Sequence, residues 1–253
     1  MPLELLTVPC LADNYAFLLH NSETKETLLV DAPDAPPIQA ALDARGWTLT
    51  DILLTHHHGD HVDGLAPLRG TARVIGAAAD ADRLPELTLA VSEGDDLTIC
   101  GATATVFDVS GHTINHIAVY IKEAGVVFTA DSLMALGCGR LFEGTPSQMW
   151  DSMQKLRALP DDTRVCSGHE YTETNARFAL TIEPQNSDLI SRIDEITKTR
   201  AAGRPTVPSP LGLEKQTNPF LRADVPALKT ALNMDDAPPA EVFAAVRKKR
   251  DTF

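Results

Sequence analysis

Thr55-His56-His57-His58-Gly59-Asp60-His61 follows a short apolar run, Ile52 to Leu54, that reads as a buried strand. Four of these seven residues are imidazoles and one is a carboxylate. Side chains two apart in extended backbone share a face. His56 and His58 can therefore bind one metal ion together, while His57 points elsewhere and fits a structural role. Gly59 permits a tight turn, after which Asp60 and His61 can reach a second ion beside the first. Oxygen and imidazole donors suit zinc, iron or manganese. A chance histidine cluster on a solvated loop would not be expected to reproduce the H-x-H-x-D-H spacing.

The remaining ligands are sought where strands end and loops begin, because a rigid scaffold holds loop residues in place. His112 follows the run Thr103 to Val109, Asp131 follows Val126 to Thr129, and His169 follows Arg164 to Cys166. Each has a small neighbour, Gly111, Ala130 or Gly168, that lets the backbone approach a metal. Singly, these residues read as well as surface histidines and a capping aspartate; jointly, beside the histidine motif, they read as ligands. His56, His58 and His112 would hold one ion and Asp60, His61 and His169 the other, with Asp131 bridging. One position per ion stays open to solvent, unlike a closed structural zinc site, and that points to catalysis. His20 and His116 lack this context and read as structural.

The chain has 253 residues, 43% hydrophobic and 23% charged, with formal net charge -13. That is the composition of a soluble globular protein long enough to bury a sizeable core. Its acidity argues against a nucleic-acid surface, and an anionic ligand would need a local basic patch. Cys10, Cys100, Cys138 and Cys166 form no C-x-x-C pair, which suggests reduced, buried thiols and a cytoplasmic location. The first ten residues lack a signal peptide's basic region, and no apolar run reaches membrane-span length.

Short apolar runs at Leu3–Val8, Ala16–Leu19 and Thr27–Val30 predict antiparallel strands. Pro36-Pro37 opens a helix through Ala44. A short helix is expected over Val62–Leu68, and strands over Arg73–Ile75, Leu97–Cys100, Ala102–Val109, Ile117–Ile121, Val126–Thr129 and Arg164–Cys166, the last strand predicted. Thr145-Pro146-Ser147-Gln148 has the form of a capping box opening a helix to Leu159. Beyond Tyr171 the pattern turns helical, with Leu189, Ile193 and Ile196 at helical spacing. A proline-broken loop spans 205–210, and helices are expected near Pro226–Met234 and Pro239–Lys249. The expected organisation is a strand-and-helix domain over 1–170 and a helical domain over 171–253.

At the level of motifs the sequence resembles glyoxalase II, the hydroxyacylglutathione hydrolases of the metallo-β-lactamase superfamily. H-x-H-x-D-H with later His, Asp and His is the superfamily pattern. The narrower match runs through Leu11-Ala12-Asp13-Asn14-Tyr15, Gly137-Cys138-Gly139-Arg140, Phe142-Glu143-Gly144-Thr145, Gly168-His169-Glu170-Tyr171-Thr172 and Asn218-Pro219-Phe220-Leu221-Arg222. The resemblance implies an α/β fold, an αββα four-layer sandwich followed by a smaller all-helical domain that helps bind glutathione. It implies two divalent metal ions per chain, zinc expected and iron or manganese as alternatives. The family's glutathione contacts map onto Arg140, Phe142, Tyr171, Arg247 and Arg250. Five positions depart: Ser110 where proline is usual, Ala130 where glycine is usual, Phe142 where an aromatic hydroxyl is common, and arginine rather than lysine at 140 and 250.

The implied reaction is hydrolysis of S-(2-hydroxyacyl)glutathione, typically S-D-lactoylglutathione, to glutathione and D-lactate, the second step of methylglyoxal detoxification. Two metals can turn a bridging water into hydroxide near neutral pH; Asp60 and Asp131 are the candidate catalytic residues, and no G-x-S-x-G elbow is present. Arg247-Lys248-Lys249-Arg250 supplies local positive charge for an anionic thioester, although cations also suit a helix C-terminus. The competing expectation is a persulfide dioxygenase-like mononuclear iron enzyme of the same fold. A metallo-nuclease is opposed by the acidic composition, and a non-catalytic metal module by the open coordination position. A monomer is expected, with neither nucleic acid nor membrane as partner.

Overall fold

The computed structural model describes residues 3–253. Chain contacts divide it into two compact units, one running to Asp108 and including Asn115–Ala130, the other comprising Val109–Ile114 and Asp131–Phe253.

The first unit holds strands β1 (Leu3–Cys10), β2 (Asn14–Asn21), β3 (Thr27–Val30), β4 (Asp51–Leu53), β5 (Arg73–Ala77), β6 (Leu89–Val91), β7 (Asp96–Ile99), β8 (Ala102–Asp108), β9 (Ile117–Ile121) and β10 (Val126–Ala130). Its helices are α1 (Ala35–Arg45), α2 (Gly59–Val62) and α3 (Leu65–Leu68). β1 to β6 form one sheet in sequence order. β1 and β2 pair antiparallel from Leu3↔Asn21 to Cys10↔Asn14, and β3, β4, β5 and β6 run parallel. A parallel neighbour requires a crossover, and α1 supplies it between β3 and β4. Pro36 and Pro37 occupy its first turn, where the missing N–H costs nothing.

Ile38 and Leu42 of α1 pack with Leu18, Leu29, Ile52, Leu54 and Val74 on one face of this sheet. Each such side chain contributes about 1.5–3 kcal/mol on full burial. On the other face Phe17 of β2 meets Phe128 of β10, ring centroids 5.9 Å apart, where the antiparallel strands β7 to β10 lie. All eight residues of β2 are buried, as a strand covered on both faces requires.

The helix expected over 62–68 is two short helices broken at Gly64. The reason is a close approach: a Cβ at Gly64 would stand 2.8 Å from the Ala32 carbonyl oxygen and 2.9 Å from the Ala35 nitrogen. Gly64 N–H donates to Ala32 O at 2.8 Å, and Ala32 N–H to His61 O at 2.8 Å. These bonds pin the metal loop to the chain leaving β3.

The second unit holds β11 (Leu133–Met134), β12 (Gly137–Cys138), β13 (Arg164–Ser167) and β14 (Ser209–Pro210). Its helices are α4 (Pro146–Arg157), α5 (Thr172–Ile182), α6 (Ser187–Ala201), α7 (Leu211–Thr217), α8 (Pro226–Ala231) and α9 (Pro239–Asp251). The capping box at Thr145 forms, its hydroxyl accepting from Gln148 N–H and its own N–H donating to the Gln148 side chain. α4 and α9 meet through Trp150 and Phe243, and α5 and α6 through Ala176, Ala179, Leu189 and Ile196.

The strand expected over Arg164–Cys166 forms as β13 but is not the last, because Ser209–Pro210 pairs antiparallel with its residues Arg164 and Val165. A two-residue strand has no alternation to read, and proline is tolerated at such a site. Glu214 of α7 is buried and accepts from Arg192, Ser209 Oγ, Leu136 N–H and Asn218 Nδ2. That network satisfies a carboxylate that would otherwise be costly to bury.

Candidate metal centre

In the first unit the metal loop leaves the C-terminal end of β4. His56 Nε2 lies 3.1 Å from His58 Nδ1, so the two imidazoles face a common point, as alternation along the chain predicted. Thr55 Oγ1 holds His56 Nδ1 at 3.0 Å. His61 Nδ1 lies 2.7 Å from Asp31 Oδ2. An ionised carboxylate only accepts, so the Nδ1–H donates and Nε2 is directed away, 3.8 Å from Asp60 Oδ2. Asp31 also accepts from Thr55 N–H and Thr55 Oγ1–H, both at 2.9 Å. Asn14 Nδ2 holds Asp60 twice, at its carbonyl and at Oδ2, each at 3.1 Å. His57 turns the other way and meets Asp80 Oδ2 at 3.0 Å. His116 is buried and stacks on His56, centroids 4.5 Å apart.

In the second unit Asp131 Oδ2 lies 3.4 Å from His112 Nε2 and 3.3 Å from His169 Nε2. All three side chains are buried. His112 Nδ1–H donates to the Arg140 carbonyl at 2.7 Å, which directs Nε2 to the carboxylate. Gly139 makes this packing possible. A Cβ there would stand 1.9 Å from the Asp131 carbonyl oxygen and 2.9 Å from His112 Nδ1, so no side chain fits without moving the backbone. A single carboxylate oxygen within 3.4 Å of two imidazole nitrogens is a donor set that suits a cation. The donor types fit divalent zinc, iron or manganese, and the described residues include groups of His and Asp that could hold a metal ion.

Three further predicted residues flank the second cluster. Phe142 is 60% exposed, its ring 5.3 Å from His112, with the Arg140 guanidinium 5.7 Å over its face. Tyr171 stacks on His169 at 4.7 Å with an interplanar angle of 6°. Arg247 and Arg250 have other neighbours. Arg247 is buried and donates to the Cys138 carbonyl at 3.0 Å and to Asp251 Oδ1 at 3.0 Å. Arg250 reaches Asn175 Oδ1 at 3.3 Å and packs over Phe178 and Phe253. Its pKa is lowered, first by burial and then by Arg247.

Residues 13–169 match the metallo-beta-lactamase superfamily, and residues 170–253 match the hydroxyacylglutathione hydrolase C-terminus. A hydroxyacylglutathione hydrolase of Ruegeria pomeroyi is 62% identical over the whole of both chains. The chain belongs to the hydroxyacylglutathione hydrolase family of the metallo-β-lactamase superfamily. Among solved structures, ETHE1 from Myxococcus xanthus is 25% identical, with a TM-score of 0.65 over 100% of this chain and 99% of that one. TTHA1623 in a di-iron-bound form is 26% identical, with a TM-score of 0.62 over 86% of this chain and all of that one. The fold is thus the metallo-β-lactamase α/β fold with the family's C-terminal domain, as the sequence implied. Identity of 62% to a hydroxyacylglutathione hydrolase over the whole of both chains does not favour the dioxygenase alternative. Among the described residues no helix is long and apolar enough to cross a membrane.

Sequence reading missed several groups that orient this hydrolase's histidines. Asp31 follows the predicted strand Thr27–Val30, the same strand-end signal that found His112, Asp131 and His169. Asn14 carries a sequence signal only as part of Leu11-Ala12-Asp13-Asn14-Tyr15. The stack of His116 on His56 and the Arg140 carbonyl's grip on His112 carry no local signal, since each depends on chain brought from far away in sequence.

Proposed function

We propose that the chain hydrolyses S-(2-hydroxyacyl)glutathione, typically S-D-lactoylglutathione, to glutathione and a 2-hydroxy acid, using two divalent metal ions. The observation that carries the binuclear reading is Asp131 Oδ2 between the Nε2 atoms of His112 and His169, at 3.4 and 3.3 Å. One carboxylate serving two imidazoles is what a bridging ligand needs. In this reading His56, His58 and His112 would hold one ion, Asp60, His61 and His169 the other, and Asp131 would serve both. Zinc is the proposed metal, with iron or manganese fitting the same donors.

When bound, two such ions lower the pKa of an attacking water and polarise the thioester carbonyl. The chain's own groups do the rest. Asp60, fixed by Asn14, accepts a hydrogen bond from the attacking water and so orients it. Asp31 and Thr55 hold His61 and His56 in the tautomers that ligation requires. Tyr171 and Arg140 take the peptide and carboxylate groups of glutathione, Phe142 offers only its apolar face, and Arg250 adds charge at the end of α9. We further propose a cytoplasmic monomer whose partners include no nucleic acid, and a division of labour in which residues 1–170 carry the chemistry and 171–253 substrate recognition.

The test is purified protein on S-D-lactoylglutathione, followed by thioester absorbance, with elemental analysis after zinc loading. About two metals per chain and loss of the thioester band are expected. A ratio that stays at one under saturating zinc would contradict the binuclear reading.

A further inference from the structure

We infer that His57, Asp80 and Asn115 form a positioning ring that fixes the His56–His58 imidazole pair from behind. The inference rests on the reading of His56 and His58 as metal ligands. Neither His57, Asp80 nor Asn115 belongs to the proposed ligand set.

The ring joins three loops of the first unit. β4 and β5 are adjacent parallel strands, with Leu53 opposite Ile75, so the loops at their C-terminal ends leave the same edge. The side chain of His57, in the first loop, meets Asp80 Oδ2, in the second, at 3.0 Å. The second loop meets the third where Asn115 Nδ2–H donates to the Ala79 carbonyl at 2.8 Å. The third returns to the first twice. Ile117 N–H donates to the Thr55 carbonyl at 3.0 Å, and the His116 ring stacks on His56 with an interplanar angle of 16°.

Asp80 does not require His57 for charge compensation. Its side chain is fully buried, but Arg83 already contacts Oδ1 through Nε at 2.6 Å and through the guanidinium terminus at 2.5 Å. Oδ2 is left to His57. The contact is therefore best understood from the side of the metal loop. In extended chain the side chain between two ligands points to the opposite face. Anchoring it there fixes the backbone midway between His56 and His58, so one contact sets both imidazoles. Asn115 holds a positive φ of 67°, a conformation asparagine tolerates better than most residues. It presents its amide to the Ala79 carbonyl while His116, the next residue, lies on His56. The middle histidine of the triplet is thus a positioning residue rather than a spare ligand.

Three variants test this: His57→Ala, His57→Asn, which returns an N–H donor near the position of Nδ1, and Asn115→Gly, which keeps the positive φ and removes the amide. The readouts are zinc affinity by competition with a chromophoric chelator, melting temperature, and steady-state kinetics. Removing a group that orients a ligand typically weakens metal binding about 10–100-fold. His57→Ala is expected in that range, with KM for the thioester changing less than about twofold. His57→Asn should recover to within about threefold of wild type, and Asn115→Gly should lose about threefold to tenfold, in the same direction. Zinc affinity within about twofold of wild type in both His57→Ala and Asn115→Gly, with only a lower melting temperature, would overturn the inference and leave the ring as a fold-stabilising contact. If His57→Ala does not fold, Asn115→Gly decides the matter by the same criterion. Wild-type protein that takes up no zinc overturns the metal-centre reading and this inference with it. Zinc-loaded wild type with unaffected variants overturns this inference alone.

Discussion

His61 Nδ1 donates to Asp31 Oδ2 across 2.7 Å, and the two residues lie at the ends of two different structural segments, β3 and the metal loop. The carboxylate does two things at once. It fixes the imidazole tautomer, and through Thr55 it ties the start of the metal loop to β3. Asp31→Asn separates these roles. An asparagine tolerates the positive φ of 57° at this position, and its amide oxygen can still accept one of the Thr55 bonds. The negative charge, the fixed tautomer and the acceptor for the remaining bonds are lost. Zinc affinity should fall about 10–100-fold, beyond what any lower melting temperature of the apo form accounts for. Equal zinc affinity in a chelator competition would show that Asp31 supports the loop alone.

Gly139→Ala probes the close packing around Asp131 and His112 in the second unit. The new methyl carbon would stand 1.9 Å from the Asp131 carbonyl oxygen, and neither atom is on a flexible side chain. The backbone must move, which costs about 1–3 kcal/mol or more, and the movement falls on Asp131 and His112 together. Lower thermal stability and reduced metal content are both expected. A variant with wild-type metal stoichiometry and melting temperature would contradict this account of the glycine.

Which parts were legible follows from what is local. The histidine triplet, the strand-end candidates His112, Asp131 and His169 and the capping box at Thr145 each need only a few consecutive residues, and the structure builds the helix and the strand ends there. The basic run 247–250 reads as local charge for an anionic thioester, yet Arg247 is buried. Val242, Phe243, Val246 and Arg247 share one face of α9, so helical spacing already put the arginine on the apolar side. The charge pattern hid that signal. β14 and α7 were missed because three prolines read as a break, whereas Pro210 pairs with Arg164 and α7 begins directly after it. The Glu214 network joins positions up to 78 residues apart, and no local pattern encodes such a pairing.

Arg157 of α4 holds Asp224 through two bonds of 2.7 Å, and this predicts a pH dependence. The Asp224 carboxyl is held below the ordinary carboxylate range, chiefly by the hydrogen bonds from Arg157. A depressed carboxylate pKa contributes stability that is present above the unfolded-state value and lost as pH falls through the folded one. The pair is about one-third exposed, so screening limits it to about 1 kcal/mol or less. Asp224→Asn should therefore lower the melting temperature slightly at neutral pH, and the difference from wild type should shrink as pH falls below about 4. A difference that holds constant from neutral to acid pH would assign the effect to packing instead.

Arg247 and Arg250 lie three residues apart on α9 but should respond to substitution differently. Arg247 is committed to the Cys138 carbonyl and to Asp251, and Cys138 lies two residues before Arg140. Arg247→Ala leaves a buried carbonyl and loses charge-assisted bonds worth about 1.5–3 kcal/mol each in a desolvated setting. Lower stability should dominate, with kinetic loss following from a loosened Arg140. Arg250 makes a longer bond to Asn175 and is partly exposed; burial and Arg247 both disfavour its charge, so a carboxylate beside it would relieve that. If it binds a glutathione carboxylate equally in ground and transition states, Arg250→Ala should raise KM about tenfold while kcat holds. A small thioester lacking the glycine carboxylate controls for indirect effects and should show no difference between wild type and variant. Steady-state kinetics on both substrates, beside melting temperatures of both variants, makes the comparison. Unchanged KM for S-D-lactoylglutathione in Arg250→Ala would leave that arginine as a packing partner of Phe178 and Phe253, and recognition would then have to come from Arg140 and Tyr171.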